Sequence, residues 1–126
     1  MLLVPVTLAP SAIHGLGVFA ARPIPAGTPV WRFTAGFDLD LDPGLVEAQP
    51  EPSRTTLRHY GYVDSRLQRF ILCCDDYRFV NHSDDPTLRT EPGEPHGVDV
   101  AARDIAAGEE LTIDYGVVEG RRPGSG

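Results

Sequence analysis

Asp76-Tyr77-Arg78-Phe79-Val80-Asn81-His82-Ser83-Asp84-Asp85-Pro86 is the stretch on which the fold turns. The apolar run before it, Phe70-Ile71-Leu72-Cys73-Cys74, reads as a buried strand beginning near Gln68. Asp84-Asp85-Pro86 then reads as a turn, because proline fixes φ and removes a backbone donor. Asn81 and His82 therefore stand at the end of an element. There an amide and an imidazole can face a ligand while the packing of Phe79 and Val80 holds their backbones. A polar turn that only satisfies its own backbone would contain the same three residues, Asn-His-Ser, so what accompanies them elsewhere decides their meaning.

Upstream, Ser11-Ala12-Ile13-His14-Gly15-Leu16-Gly17-Val18-Phe19-Ala20 places two glycines around one apolar residue just before a strand. Such a turn lets backbone amides and carbonyls approach a ligand closely, and φ > 0 is open at either glycine. It is not a dinucleotide fingerprint, since the third glycine and the following helix are missing. Downstream, Glu110-Leu111-Thr112-Ile113-Asp114-Tyr115 alternates, which predicts a strand with Leu111, Ile113 and Tyr115 on one face.

Short apolar segments separated by single prolines and glycines fill the rest of the chain, the pattern of a loop-rich β fold. Strands are predicted over Leu2–Leu8, Val30–Thr34 and Gly97–Ala102, and a loop over Thr90–His96. The phrase Arg22-Pro23-Ile24-Pro25-Ala26-Gly27 returns as Arg103-Asp104-Ile105-Ala106-Ala107-Gly108, each time before a strand. No longer internal repeat is present. Gly36–Pro52 is acidic and broken by Pro43, Pro50 and Pro52, which predicts a surface insertion with at most a short helix near Leu45–Ala48. Ser53 is placed to cap a helix from Arg54 to about His59. In an extended chain Tyr60 and Tyr62 would share a face and offer an aromatic wall, or half-buried packing with hydroxyls at the rim.

A chain of 126 residues with 41% hydrophobic residues supports a single domain, residues 1–126, with one core. The formal charge of −7 makes the electrostatic attraction that dominates nucleic-acid backbone binding repulsive here, so no direct nucleic-acid binding is expected. A cationic partner suits it better, although plain solubility accounts for the same charge. All 11 basic residues are arginine, as codon bias in a GC-rich genome would give; an enzyme acting on lysine side chains could not act on its own. Cys73 and Cys74 are adjacent with no other cysteine to pair with, so buried thiols are expected and a metal site with His82 is disfavoured. The amino terminus lacks signal-peptide features, and no stretch is long enough for a membrane span; a soluble, cytoplasmic protein is expected.

Taken in order, His14-Gly15-Leu16-Gly17-Val18-Phe19-Ala20, Arg78-Phe79-Val80-Asn81-His82-Ser83 and Gly108-Glu109-Glu110-Leu111-Thr112-Ile113-Asp114-Tyr115-Gly116 resemble the SET domain of protein-lysine methyltransferases. The resemblance runs from about Ser11 to Gly116 and leaves 117–126 as a flexible tail. It implies a mainly β, β-clip fold of several small sheets, with short helices and a threaded, pseudoknot-like carboxyl-terminal segment. It further implies methyl transfer from S-adenosylmethionine, leaving S-adenosylhomocysteine, to a lysine of a basic protein. On this resemblance Gly15, Leu16, Gly17, Asn81 and His82 bind the cofactor and Tyr115 is catalytic. Tyr60 sits beside the lysine channel, with catalytic and substrate-binding roles, and Tyr62 is a second substrate-binding candidate. A phenol stays protonated at neutral pH, which suits Tyr115 to orienting and polarising.

The chain also departs from the family's pattern. Many members have a cysteine after Asn-His-Ser and a zinc-binding, cysteine-rich tail, whereas Asp84 stands at that place here and no cysteine follows Cys74. No metal site is implied, as in short bacterial and viral members. Closure of the lysine channel is left to a homodimer partner, to the substrate, or to no element at all. One competing reading is a catalytically weak or inactive SET-like binding module that keeps the groove, against which Asn81, His82 and Tyr115 together argue; another is a β-clip domain binding a carbohydrate or another protein, which leaves Asn81-His82-Ser83 without a task.

Overall fold

The computed structural model describes residues 1–64 and 66–115, so the expected tail, 117–126, lies outside the described residues. Three small sheets make up the β structure among them. The first is ordered β1 (Val6–Pro10), β2 (Leu16–Ala20), β10 (Glu110–Ile113) and β7 (Asn81–His82). The second joins β3 (Pro29–Arg32), β9 (Val98–Ala101) and β8 (Leu88–Glu91), and the third joins β4 (Leu39–Leu41), β6 (Arg69–Leu72) and β5 (Tyr62–Asp64). Helices α1 (Pro43–Glu47) and α2 (Glu51–Tyr60) lie between β4 and β5, and a single 3-10 turn, Asp76–Phe79, leads into β7.

The two similar phrases of the sequence meet in space. Ile24 and Ile105 form a bridge in which each N–H donates to the other's carbonyl, at 2.8 and 2.9 Å. Both isoleucines are buried, and Gly27 and Gly108 both have φ of +83°, a region where glycine pays no Cβ penalty. One phrase carries the chain from β2 to β3 and the other from β9 to β10; β2 pairs with β10 and β3 with β9. The repeat thus builds two matching arcs around one apolar centre, with Val18, Val30, Leu88, Leu111 and Ile113 in the core beside them.

β10 runs between β2 and β7, antiparallel to the former and parallel to the latter, with Thr112 opposite Asn81 and Ile113 opposite His82. Parallel neighbours cannot be joined by a tight hairpin, and the connection here passes through β8 and β9. β10 thus enters the sheet between β2 and the strand that carries Asn81 and His82. Leu111, Ile113 and Tyr115 are buried as the alternation predicts, and so is Thr112. Thr112 tolerates burial because its hydroxyl accepts from the Thr87 N–H at 3.1 Å while its own N–H donates to Thr87 Oγ1 at 2.9 Å.

Several local expectations are corrected. The first strand runs over Val6–Pro10, with Leu2 held separately in a bridge to Trp31. α2 begins at Glu51, not behind Ser53: Pro50 precedes it, Pro52 suits the first turn, and Glu51 complements the helix dipole. The short insertion helix is Pro43–Glu47, capped by the Asp42 side chain. Leu88–Glu91 is a strand that takes in the first residues of the predicted loop, because it pairs with the fully buried β9. Asp99, buried in β9, accepts from the Tyr77 hydroxyl and from Thr90 Oγ1, so a polar residue facing the interior there is satisfied. Cys73 is buried, but Cys74 is exposed, since neighbours in an extended segment face opposite ways. Partial desolvation of the Cys74 sulfur, then the charges of Asp38 and Asp75, push its thiol pKa up. No helix among the described residues is long and apolar enough to cross a membrane.

Candidate functional site

Asn81, at 2% exposure, holds the two ends of the molecule together. Its Nδ2 donates to His14 O at 3.0 Å, Leu16 O at 3.1 Å and Glu110 Oε2 at 3.0 Å. All three partners are acceptors, which fixes which end of the amide is nitrogen. Oδ1 is left without a partner among the described residues. The side chain expected to meet a ligand therefore also shapes the turn that would line the ligand's groove.

Within that turn the two glycines have different reasons. Gly15 has φ of +45° and open space where a Cβ would stand, so its backbone conformation calls for glycine. At Gly17 a Cβ would lie 2.5 Å from Glu110 Oε2 and 2.9 Å from its Cδ. The room at Gly17 is taken by this chain's own carboxylate and is not held open for a ligand. Leu16, between them, is exposed and opens β2. Ser11 closes the turn: its N–H donates to Gly15 O at 2.8 Å, and its hydroxyl accepts from the Ile13 N–H at 2.9 Å while donating to Glu110.

His82 and Tyr115 form the other half of the junction. Tyr115 N–H donates to His82 Nδ1 at 3.0 Å, so that nitrogen carries no proton in this arrangement, and Nε2–H faces Asp84 Oδ1 at 2.8 Å. The Tyr115 ring is buried, 5.3 Å from the imidazole, and its hydroxyl donates to Val80 O at 2.7 Å. The hydroxyl proton is thus directed at that carbonyl, which fixes the phenol's orientation beside the His82 ring. The 3-10 turn that fixes Val80 is capped by Asp75, whose side chain accepts from the Tyr77 N–H.

Tyr60 and Tyr62 do not form the common wall that an extended chain would give. Tyr60 is the last residue of α2, and Gly61 ends the helix, so the strand spacing never applies. Gly61 is glycine because a Cβ would lie 2.2 Å from the Phe70 ring. The structure brings Tyr60 against Phe79, edge to face at 5.6 Å, with the Arg78 guanidinium 4.9 Å from the Tyr60 ring centroid and 5.4 Å from that of Phe79. Tyr62, 9% exposed, lines a cavity of about 190 Å³ with Pro43, Val46 and Phe70. Phe79 and Arg78 were not singled out as site residues; their place beside Asn81 in the motif was the available signal. Glu110 was missed as well, because its partners Ser11 and Asn81 are far from it in sequence.

Asn81 Oδ1 is a polar acceptor at a buried position, and residues 14–16 of the turn are exposed. Among the described residues no group of three or more His, Cys, Asp or Glu could hold a metal ion.

A family model described as the SET domain matches residues 15–116. Among curated relatives, human histone-lysine N-methyltransferase 2B is 31% identical over 83% of this chain, which spans 4% of that protein. The zebrafish (Danio rerio) N-lysine methyltransferase KMT5A-A is 32% identical over 81% of this chain and 32% of its own length. A histone-lysine N-methyltransferase, H3 lysine-4 specific, of Yarrowia lipolytica is 33% identical over 88% of this chain and 10% of its own. This chain therefore spans a third or less of each. Among solved structures, a chain of a humanized mutant of the Chaetomium thermophilum Polycomb Repressive Complex 2, bound to an inhibitor, superposes with a TM-score of 0.65 at 26% identity. That match covers 91% of this chain and 15% of the other.

Proposed function

The chain belongs to the SET-domain family, and from that premise we propose that it is a protein-lysine N-methyltransferase using S-adenosylmethionine. The observation that carries this reading is the convergence of three distant segments: Asn81 bonded to the carbonyls of the 14–17 turn, and Tyr115 bonded to both His82 and Val80.

S-adenosylmethionine supplies a methyl group that is electrophilic because it sits on a sulfonium. The chain's own residues then have to bind, orient and exclude water. Gly15, Leu16 and the backbone of the turn, with Asn81 Oδ1 and the His82 segment, would hold the donor. Tyr115, its proton committed to Val80 O, presents lone pairs that accept from a lysine amine and align it. Tyr60 and Phe79 supply the aromatic corner for the lysine stem and head, and the guanidinium of Arg78 over both rings supports its suitability for a cation.

The partner in this reading is a lysine-bearing basic protein, as the names of the relatives suggest and the charge of −7 favours. We extend it to a cytoplasmic location, to no direct nucleic-acid binding, and to a second copy of the chain as a candidate for closing the lysine channel. Light scattering on a gel-filtered sample tests the last. The reading as a whole is tested by incubating the chain with methyl-labelled S-adenosylmethionine and a set of basic proteins, core histones included. The chain has no lysine, so methyllysine recovered by mass spectrometry can come only from the substrate. Label that appears with the native chain and not with Tyr115→Phe supports the reading; donor binding without any methyllysine favours the binding-module alternative.

A further inference from the structure

We infer that Glu110 is the positioning residue that sets the shape of the donor-binding turn, acting through Ser11 on one side and Asn81 on the other. This rests on the methyltransferase reading for the ligand's identity, and on geometry for the rest. Glu110 opens β10, the strand that ends in the Tyr115 segment. Its carboxylate receives the Ser11 hydroxyl at both oxygens, 2.8 and 2.9 Å away, and the Asn81 amide at 3.0 Å. Ser11 in turn accepts from the backbone N–H groups of Ile13 at 2.9 Å and His14 at 3.4 Å. One carboxylate thus sits between the two hydrogen-bonded pieces that define residues 11–17.

Charge is what makes the arrangement directional. An ionised carboxylate can only accept, so Ser11 must donate to it and must offer its lone pairs to the turn's amides. The same charge, with the carbonyls of His14 and Leu16, forbids the flipped Asn81 amide, because Oδ1 would then face three acceptors. Oδ1 is therefore kept on the side away from the carboxylate, with no partner among the described residues. Gly17 shows that turn and carboxylate are fitted to each other: a Cβ at residue 17 would stand only 2.5 Å from Glu110 Oε2, closer than the two atoms can approach. A glutamine at 110 keeps the volume but can donate as well as accept, so both hydroxyl and amide gain alternative orientations.

The test compares the native chain with Glu110→Gln, Ser11→Ala and the double variant. Three readings are taken: calorimetric affinity for S-adenosylhomocysteine, amide hydrogen exchange at Ile13 and His14, and steady-state kinetics with a basic protein substrate. The expected result for Glu110→Gln is a loss of affinity on the order of tenfold and faster exchange at both amides, with KM for the donor raised and kcat at saturating donor nearly unchanged. Ser11→Ala should reproduce part of the loss, and the double variant should lose less than the sum, because both act on one turn. Native-like affinity in Glu110→Gln overturns the inference and leaves the methyltransferase reading standing, even if exchange rises. A fall in kcat with unchanged donor affinity overturns it too. Failure of the native chain to bind the donor product overturns the methyltransferase reading instead, and with it the role of the turn.

Discussion

At the junction, Asn81 reaches across 67 and 65 residues of sequence to the 14–17 turn, and Ser11 reaches across 99 to Glu110. In the insert between β3 and β6, the polar contacts of the helices are short-range and wet: Arg58 meets Glu47, 11 residues away, and both are well exposed. The insert also leaves Phe37, Leu39 and Leu45 exposed, and Leu41, Val46, Pro52 and Leu57 help line an open groove of about 520 Å³. Buried polar groups cost free energy unless paired, so the junction holds each group in one arrangement and tolerates little change. Exposed pairs contribute little, and the insert should absorb substitution readily. One cluster crosses this division. Asp40 of β4 binds Arg69 of β6 and His96, and His96 stacks on Phe33 at 3.8 Å, tying the insert to the segment before β9.

The largest effect is expected at Tyr115. Tyr115→Phe should lower turnover by about a hundredfold or more, a typical cost of removing an oriented polar group at a reacting centre, while donor affinity stays within about twofold. Equal losses in initial rate and in calorimetric affinity would take Tyr115 out of the catalytic role. Next comes Asn81→Ala, which leaves three acceptors without their donor and should lower stability by about 1–3 kcal/mol in urea unfolding. A smaller loss would mean that the junction is no more constrained than the insert.

Acid sharpens the contrast. Burial alone would raise the Asp40 carboxyl, but hydrogen bonds from Arg69 and His96, aided by their charges, bring it below its ordinary value of 3.8. Because the folded-state value is depressed, the contribution is complete above about pH 3.8 and is lost as pH falls through the folded value. The Met1 amine and the N–H groups of Cys74 and Thr34 likewise outweigh burial at Asp38 and act in the same window. Asp40→Asn should flatten the acid limb of the melting temperature against pH, with little change near neutrality beyond the lost pair. The smallest effect is expected at Leu45, 52% exposed on the groove rim: Leu45→Ser should change stability by no more than about 0.5 kcal/mol. A large loss there would show that the groove is part of the packed structure.

These same two regions divide what could be read from sequence. The alternation over 110–115 gave β10 its buried face, and the motif around Asn81 gave the junction its members, because both signals are local. Thr112, Asp99 and Glu110 escaped, since a polar residue in a strand reads as solvent-facing until its partner is known. Their partners Thr87, Tyr77 and Ser11 lie 25, 22 and 99 residues away. The insert failed differently. Prolines there read as breakers, yet Pro43 and Pro52 stand in first turns where proline is tolerated, and at its other end α2 runs on to Tyr60, which takes that residue out of strand register.

The most direct test of the account is a calorimetric titration of the folded chain with S-adenosylhomocysteine, repeated on Asn81→Ala. The account predicts saturable binding at a single site, weakened on the order of tenfold or more by the substitution. No binding by the native chain, or equal binding by both, would contradict the assignment of the junction as the donor groove.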